Sequence, residues 1–228
     1  MSSPAISRRE FLQASAAGAA GLVLSFYLPL SAQEKPAPIA PNTWLKIDPA
    51  GEVSLWVARS EMGQGVRTSL AMILAEELEA DWSRVRIVQA DLDPKYGNQI
   101  TGGSSSVRQS LLRKAGAAAR EMLRAAAAEK WPVPVSECMA RGGAVVHTPS
   151  GRRLTYGELA AKAATMPVPQ DPPLKDAKDF RIVGTPVARV DGPRIVTGAA
   201  QYGLVRVAAQ PVCITSTGWR QSPPEATR

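Results

Sequence analysis

Aromatic side chains make up only 5% of this chain, and none of them interleaves with its 27 lysines and arginines. A surface for single-stranded nucleic acid needs aromatic stacking platforms among the cations. The net charge of +7 therefore reads as a dispersed, solvated face, and nucleic acid is not an expected partner. Histidine occurs once, at His147, and cysteine twice, at Cys138 and Cys213. A zinc site needs about four ligands at suitable spacing, and no such set is present. Two cysteines so far apart allow one disulfide in an oxidising compartment or two free thiols. The second is the simpler reading.

Long apolar runs are missing too. The longest, Ala14 to Leu30, is interrupted by Gly18, Gly21 and Pro29, and at roughly 17 residues it is short for a bilayer span. Arg8 and Arg9 precede it, followed by Phe11 and Leu12. Paired arginines before an apolar stretch form a twin-arginine export signal. Residues 1–32 are expected to be this signal, with Ala32 the last residue removed, and the protein is expected in the periplasm. An uncleaved signal would leave it associated with the membrane.

After a Pro/Ala linker at 33–41, "TWLKIDPAGEVSLWVARS" reads as a hairpin. Leu45 and Ile47 alternate, Pro49 to Gly51 turns the chain, and Val53, Leu55 and Val57 alternate again. A helix is expected from Val66 to Ala80, with Val66, Leu70, Ile73, Leu74 and Leu78 on one face and Arg67, Glu76 and Glu79 towards solvent. "RVRIVQA" reads as a third strand. A second, long helix is expected to start at "GGSSS" and to end at Trp131-Pro132. Short strands around Ala144 to His147 precede a small helix from Tyr156, where Thr155 and Glu158 are spaced as a capping box. The class is α+β. The first domain is placed at 42–164, a Pro-rich linker at 165–178, a second domain opening at 179–203 and an atypical tail at 204–228.

Two helix starts are rich in glycine: "GQG" at Gly63, Gln64 and Gly65, and "GGSSS" at Gly102, Gly103, Ser104, Ser105 and Ser106. A helix start has free N–H groups and a positive dipole end, so it can hold an anion. Glycine lets a ligand approach the backbone closely, and the Gln64 amide can donate and accept, which suits a flat heterocycle. Together they suit a ligand with a phosphate and a polar ring system. Neither stretch is a P-loop or a GxGxxG fingerprint. The bland alternative is two turns and a serine cap.

"SEMGQGVRTSLAMILAEELEADWSRV" and "TGGSSSVRQSLLRKAGAAAREML" together resemble the molybdopterin-binding subunit of the xanthine dehydrogenase and aldehyde oxidase family, of the isoquinoline 1-oxidoreductase beta-subunit type. "DFRIVGTPVARVDGPRIVTGAAQYG" and the paired arginines look like that type as well. The resemblance implies a molybdopterin-binding α+β domain followed by the start of a hammerhead-like domain. It implies molybdopterin, the molybdenum cofactor, in its cytosine dinucleotide form. It implies oxidation of an N-heterocycle or aldehyde with oxygen taken from water. Electrons would leave through a small partner subunit with [2Fe–2S] clusters, and on to a c-type cytochrome. By motif match, the cofactor contacts fall on Gly63, Gln64, Gly65, Gly102, Gly103, Ser104, Ser105 and Ser106.

The family's catalytic base is a glutamate in a Gly-Glu-Pro-like motif that has no counterpart here, so no catalytic residue and no metal ligand is assigned. After Gly203 the sequence leaves the family pattern and ends in "SPPEATR". Three readings follow. The chain is an N-terminal part of such a subunit, inactive alone. Or it is a secreted, non-catalytic binding or assembly module with the same fold. Or it is a stand-alone nucleotide-binding protein.

Overall fold

The computed structural model describes residues 44–107 and 111–200, and the backbone of three short strands outside them. Arg8, Arg9, Ala32 and the linker at 33–41 lie outside the described residues. The chain divides into two compact units, Met1–Val187 and Ala188–Arg228.

The first unit mixes helices and sheets, as α+β requires. Its larger sheet has four strands in chain order: β1 (Leu22–Leu24), β2 (Leu45–Ile47), β3 (Val53–Val57) and β4 (Val85–Gln89). β1, whose residues fall inside the expected export signal, runs antiparallel to β2. β2 and β3 form the expected antiparallel hairpin, with Leu45 opposite Leu55. β3 and β4 run parallel, so the chain must cross over between them, and it does so through helix α1 (Val66–Leu78). The alternation of the hairpin decides its inner face: Leu45, Ile47, Val53, Leu55 and Val57 are all buried.

The expected helix start at Gly102 and Gly103 is a 3-10 turn, and regular α-helix begins at Ser104. Thr101–Gly103 is a 3-10 turn, α2 is the four-residue helix Ser104–Val107, and the main helix α3 runs Arg113–Lys130 after a π-type turn at Leu111 and Leu112. Glycine is a poor helix interior, and a serine at a helix start bonds locally to the backbone. Ser104 shows this, its hydroxyl donating to Thr101 O at 2.5 Å. α3 packs on α1 through its alanines. At Gly116 the helices come so close that a Cβ would stand 2.5 Å from Leu74 O.

A second sheet, β5 (Cys138–Arg141), β6 (Ala144–His147) and β7 (Arg153–Thr155), is an antiparallel meander. It leads into α4 (Tyr156–Ala163), which opens with the expected capping box of Thr155 and Glu158. Tyr156 is buried and donates to Leu78 O at 2.6 Å, fastening α4 to the end of α1. Cys138 is a free, buried thiol, and burial raises its pKa.

Glu76 corrects the solvated-face reading of α1. It is 2% exposed, and Glu77 beside it is 1% exposed. Glu76 Oε2 accepts the backbone N–H groups of Arg181, Ile182 and Val183 at 2.9, 2.6 and 2.9 Å. Its other oxygen pairs with Lys175 Nζ. Burial alone would raise the Glu76 carboxyl, but Lys175 and the three N–H groups outweigh it and hold the pKa below the ordinary value. Glu77 accepts from Arg113 Nε at 2.6 Å and from Lys175 N at 3.0 Å. Arg120 donates to Glu77 O at 2.9 Å and to Pro173 O. The stretch from Pro173 to Val183 is thus a strap held across α1 and α3.

In the second unit, Gly192–Val196 forms a short helix, α5, and β8 (Val212–Thr215) pairs antiparallel with β9 (Gly218–Gln221).

Candidate functional site

β3 and β4 end side by side, and both glycine-rich loops leave from their carboxyl ends. In open α/β sheets, ligands bind at that edge. The first loop, Ser60 to Gly65, follows β3; the second, which ends at Thr101–Gly103, follows β4. Gln89, the last residue of β4, ties the edge together by donating to Val57 O at 2.9 Å and to Arg59 O at 3.2 Å. Gln99 stitches the longer loop, accepting from Asp93 N at 2.9 Å and donating to Asp91 O at 3.0 Å.

The two loops meet at Gln64 and Thr101, 37 residues apart in sequence. Gln64 Nε2 donates to Thr101 Oγ1 at 2.9 Å and to Ser60 O at 3.1 Å, while Gln64 Oε1 accepts from Met62 N at 2.6 Å. The amide that the sequence offers to a ligand is therefore engaged as a staple between loops. One lone pair of its oxygen stays outside these bonds.

The start of α1 is also engaged. Gly63 and Gly65 have φ of +105° and +79°, values that L side chains rarely adopt. Their turns aim backbone N–H groups inward, and Glu61 fills that nest. Glu61 Oε1 accepts from Gly63 N at 2.8 Å and Gly65 N at 2.9 Å, and Oε2 accepts from Arg67 N at 3.1 Å. The expected free N–H groups at this helix start thus already serve a carboxylate of the chain itself.

At the second start, Gly102 and Ser105 are exposed and Gly103 and Ser104 are half-buried. The Ser106 side chain lies outside the described residues. Beneath Gly103 lies Arg59, which donates from Nη1 to Ile100 O at 2.7 Å. Sequence reasoning passed over Arg59, Glu61 as a loop-filling anion, and Thr101. Each sits within or beside the quoted motifs, but only the pairing of the loops reveals its task.

Above the loops the surface is open. A Cβ at Gly63 or Gly65 would have no atom within 4 Å. Met62, Leu92 and Ile100 on the same loops are exposed, at 74%, 92% and 70%. Two buried polar atoms nearby in sequence lack a partner, Arg67 Nε and Gln89 Oε1. The cavity behind Arg59, lined by Trp44, Val57, Leu70 and Leu112 among others, measures about 10 Å³, room for about one water.

Residues 7–210 match the family described as molybdopterin cofactor-binding domain. The chain belongs to that family. It is 35% identical over 216 residues to the membrane-bound aldehyde dehydrogenase [pyrroloquinoline-quinone] of Gluconacetobacter polyoxogenes, covering 87% of this chain and 27% of that protein. It is 33% identical over 225 residues to the isoquinoline 1-oxidoreductase subunit beta of Brevundimonas diminuta, covering 80% of this chain and 29% of that one. This molybdopterin cofactor-binding domain chain therefore spans less than a third of the length of the curated relatives it matches. Among solved structures, quinoline 2-oxidoreductase from Pseudomonas putida 86 is 22% identical over 56% of this chain and 17% of that one. Its TM-score of 0.37 is too low to carry an architectural argument.

Proposed function

We propose that this molybdopterin cofactor-binding domain chain supplies one part of the cofactor shell of a molybdenum hydroxylase, and that it is inactive alone. The observation that carries the reading is the meeting of the GQG and GGSSS loops, through Gln64 and Thr101, at the carboxyl ends of two parallel strands. Family membership makes the ligand molybdopterin, and we assign it the cytosine dinucleotide form. The residues suit such a group. Open backbone above Gly63 and Gly65 admits a flat ring, with no atom within 4 Å of a Cβ at either position. A cavity of about 10 Å³ encloses no cofactor, so the ligand would lie across the loops with its far side covered by other parts of the enzyme.

When bound, the cofactor supplies two-electron oxidation of an N-heterocycle or aldehyde with oxygen from water. This chain's share is to bind and to orient. Gln64 and Glu61 fix the loop before any ligand arrives, so little ordering remains at binding. Both Glu61 oxygens already accept backbone N–H groups, so this carboxylate serves the loop's own turn. In this reading a [2Fe–2S] subunit and a c-type cytochrome take the electrons. Residues 179–203 open a hammerhead-like domain, and Arg8 and Arg9 direct export to the periplasm.

The engaged state of Glu61 also favours a second reading, a non-catalytic binding or assembly module. Purified chain incubated with the cofactor and an artificial electron acceptor separates them. The hydroxylase-part reading expects weak binding, measured as co-eluting molybdenum by mass spectrometry, and no turnover of quinoline-like or aldehyde substrates. Gly65→Val forces a branched side chain into φ +79° and should abolish that binding. Turnover by the 228-residue chain would refute the claim of inactivity, and cofactor binding unchanged in Gly65→Val would refute the assigned site.

A further inference from the structure

Among the described residues, two strongly buried cations are neutralised by carboxylates. Arg120 is paired with Glu77 and Glu121, and Lys175 with Glu76 and Glu79. Arg59 is as buried as Arg120, each at 8% exposure, yet no carboxylate pairs with it among the described residues. Its one described partner is a carbonyl, Ile100 O, at 2.7 Å. An uncompensated buried charge is costly. Burial lowers the Arg59 pKa, but a guanidinium stays protonated in proteins, so the cost is not relieved by losing a proton.

The side chain is held in place from two directions. Gln89 on β4 bonds the Arg59 backbone, and Ile100 anchors the guanidinium. Of the five N–H donors of a guanidinium fork, one is used. The others are not among the sealed, partnerless atoms of the described residues, which are Trp44 Nε1, Arg67 Nε and Gln89 Oε1. Gly103 explains how the fork is reached. The nearest atom to a Cβ placed there would be Arg59 Nη2, at 3.4 Å. The missing side chain therefore leaves that face of the guanidinium uncovered. Meanwhile Glu61 fills the start of α1, which removes the competing anion site on the GQG loop.

We propose that Arg59 is the anion anchor of this site, its guanidinium gripping a phosphate-type oxyanion laid across the Gly102–Gly103 turn. This rests on the cofactor reading above and deepens it, because it assigns the phosphate-bearing end of the ligand to the second loop. The GQG loop is left with the ring.

The test uses the full chain with inorganic pyrophosphate, by isothermal titration and by thermal shift. Wild type should bind and be stabilised. Arg59→Gln should bind about tenfold more weakly or worse, since charge-assisted, bidentate contacts are the strong ones. Arg59→Lys should recover part of the loss, as a point charge without the fork. Gly103→Val keeps the guanidinium but covers it, and should lose binding too. It carries the test if Arg59→Gln does not fold. Pyrophosphate binding equal in wild type, Arg59→Gln and Gly103→Val, or no binding by wild type, overturns the anchor. Cofactor binding that survives Arg59→Gln but not Gly65→Val overturns the anchor and leaves the cofactor reading intact. Pyrophosphate binding that requires Arg59, with no cofactor binding at all, supports the anchor and sinks the cofactor reading.

Discussion

Replacing Glu76 with alanine tests the strap most directly. The carboxylate is 2% exposed and holds Lys175 and the N–H groups of Arg181, Ile182 and Val183. Breaking a buried charged pair from one side costs about 3–5 kcal/mol. The lower end applies here for two reasons. Lys175 keeps Glu79 Oε1 at 2.7 Å, so its charge is not orphaned. Arg181 is exposed and Ile182 and Val183 are half-buried, so water can reach some of the freed N–H groups. About 3 kcal/mol corresponds to a fall in Tm of roughly 6–12 °C for a domain of this size. The strap carries Lys175, Lys178 and Arg181, so trypsin should cut there before it cuts α1. Differential scanning calorimetry and timed trypsinolysis followed by mass spectrometry read both effects. Glu76→Gln keeps an acceptor and should lose less, about 1–2 kcal/mol. A Glu76→Ala variant that melts within about 2 °C of wild type, with the strap equally resistant, would refute the claim that this carboxylate holds the strap.

Because the folded Glu76 pKa lies below its ordinary value of 4.5, its contribution is complete above that value and is lost as pH falls through the folded pKa. Urea titrations below pH 5 should therefore show a steeper acid loss in wild type than in Glu76→Gln; parallel curves would contradict it. Gly116→Val should cost about 2–3 kcal/mol by overpacking, because even a Cβ would stand 2.5 Å from Leu74 O; chemical denaturation measures this, and an unchanged midpoint would refute the close helix approach. Lysines in place of Arg8 and Arg9 should leave the protein in the cytoplasm; unchanged periplasmic recovery on fractionation would remove the export proposal.

The parts of the fold legible in sequence were those specified by neighbours in sequence. The β2–β3 hairpin follows from alternation around a Pro-Ala-Gly turn, and the capping box of Thr155 and Glu158 is a spacing of three residues. What could not be read depends on distant chain. Glu76 looks like any glutamate on the polar side of a helix, and its burial is decided by a strap about a hundred positions later, with Lys175 and Arg181 separated from it by 99 and 105 residues. The second helix starts slightly later than expected, because Gly102 and Gly103 form a 3-10 turn before the α-helix begins at Ser104. At the candidate site, the two loops were visible as motifs. That Gln64 and Glu61 spend their hydrogen bonds inside the loop was not, because the turns at Gly63 and Gly65 bring those groups together only once folded.

The strap also has a meaning in time. Arg120 reaches Glu77 from 43 residues away, but the Glu76 carboxylate meets its last backbone partner only at Val183, 107 residues on. A chain emerging residue by residue carries α1 with an unpaired acid on a face meant to be buried, and that face cannot close until the strap arrives. Contacts this far apart are slow to form. The first unit should therefore stay open and protease-sensitive on the ribosome until Val183 has cleared the exit tunnel. Glu76 thus works as a gauge of length: this arrangement of the unit is complete only when enough chain has been made.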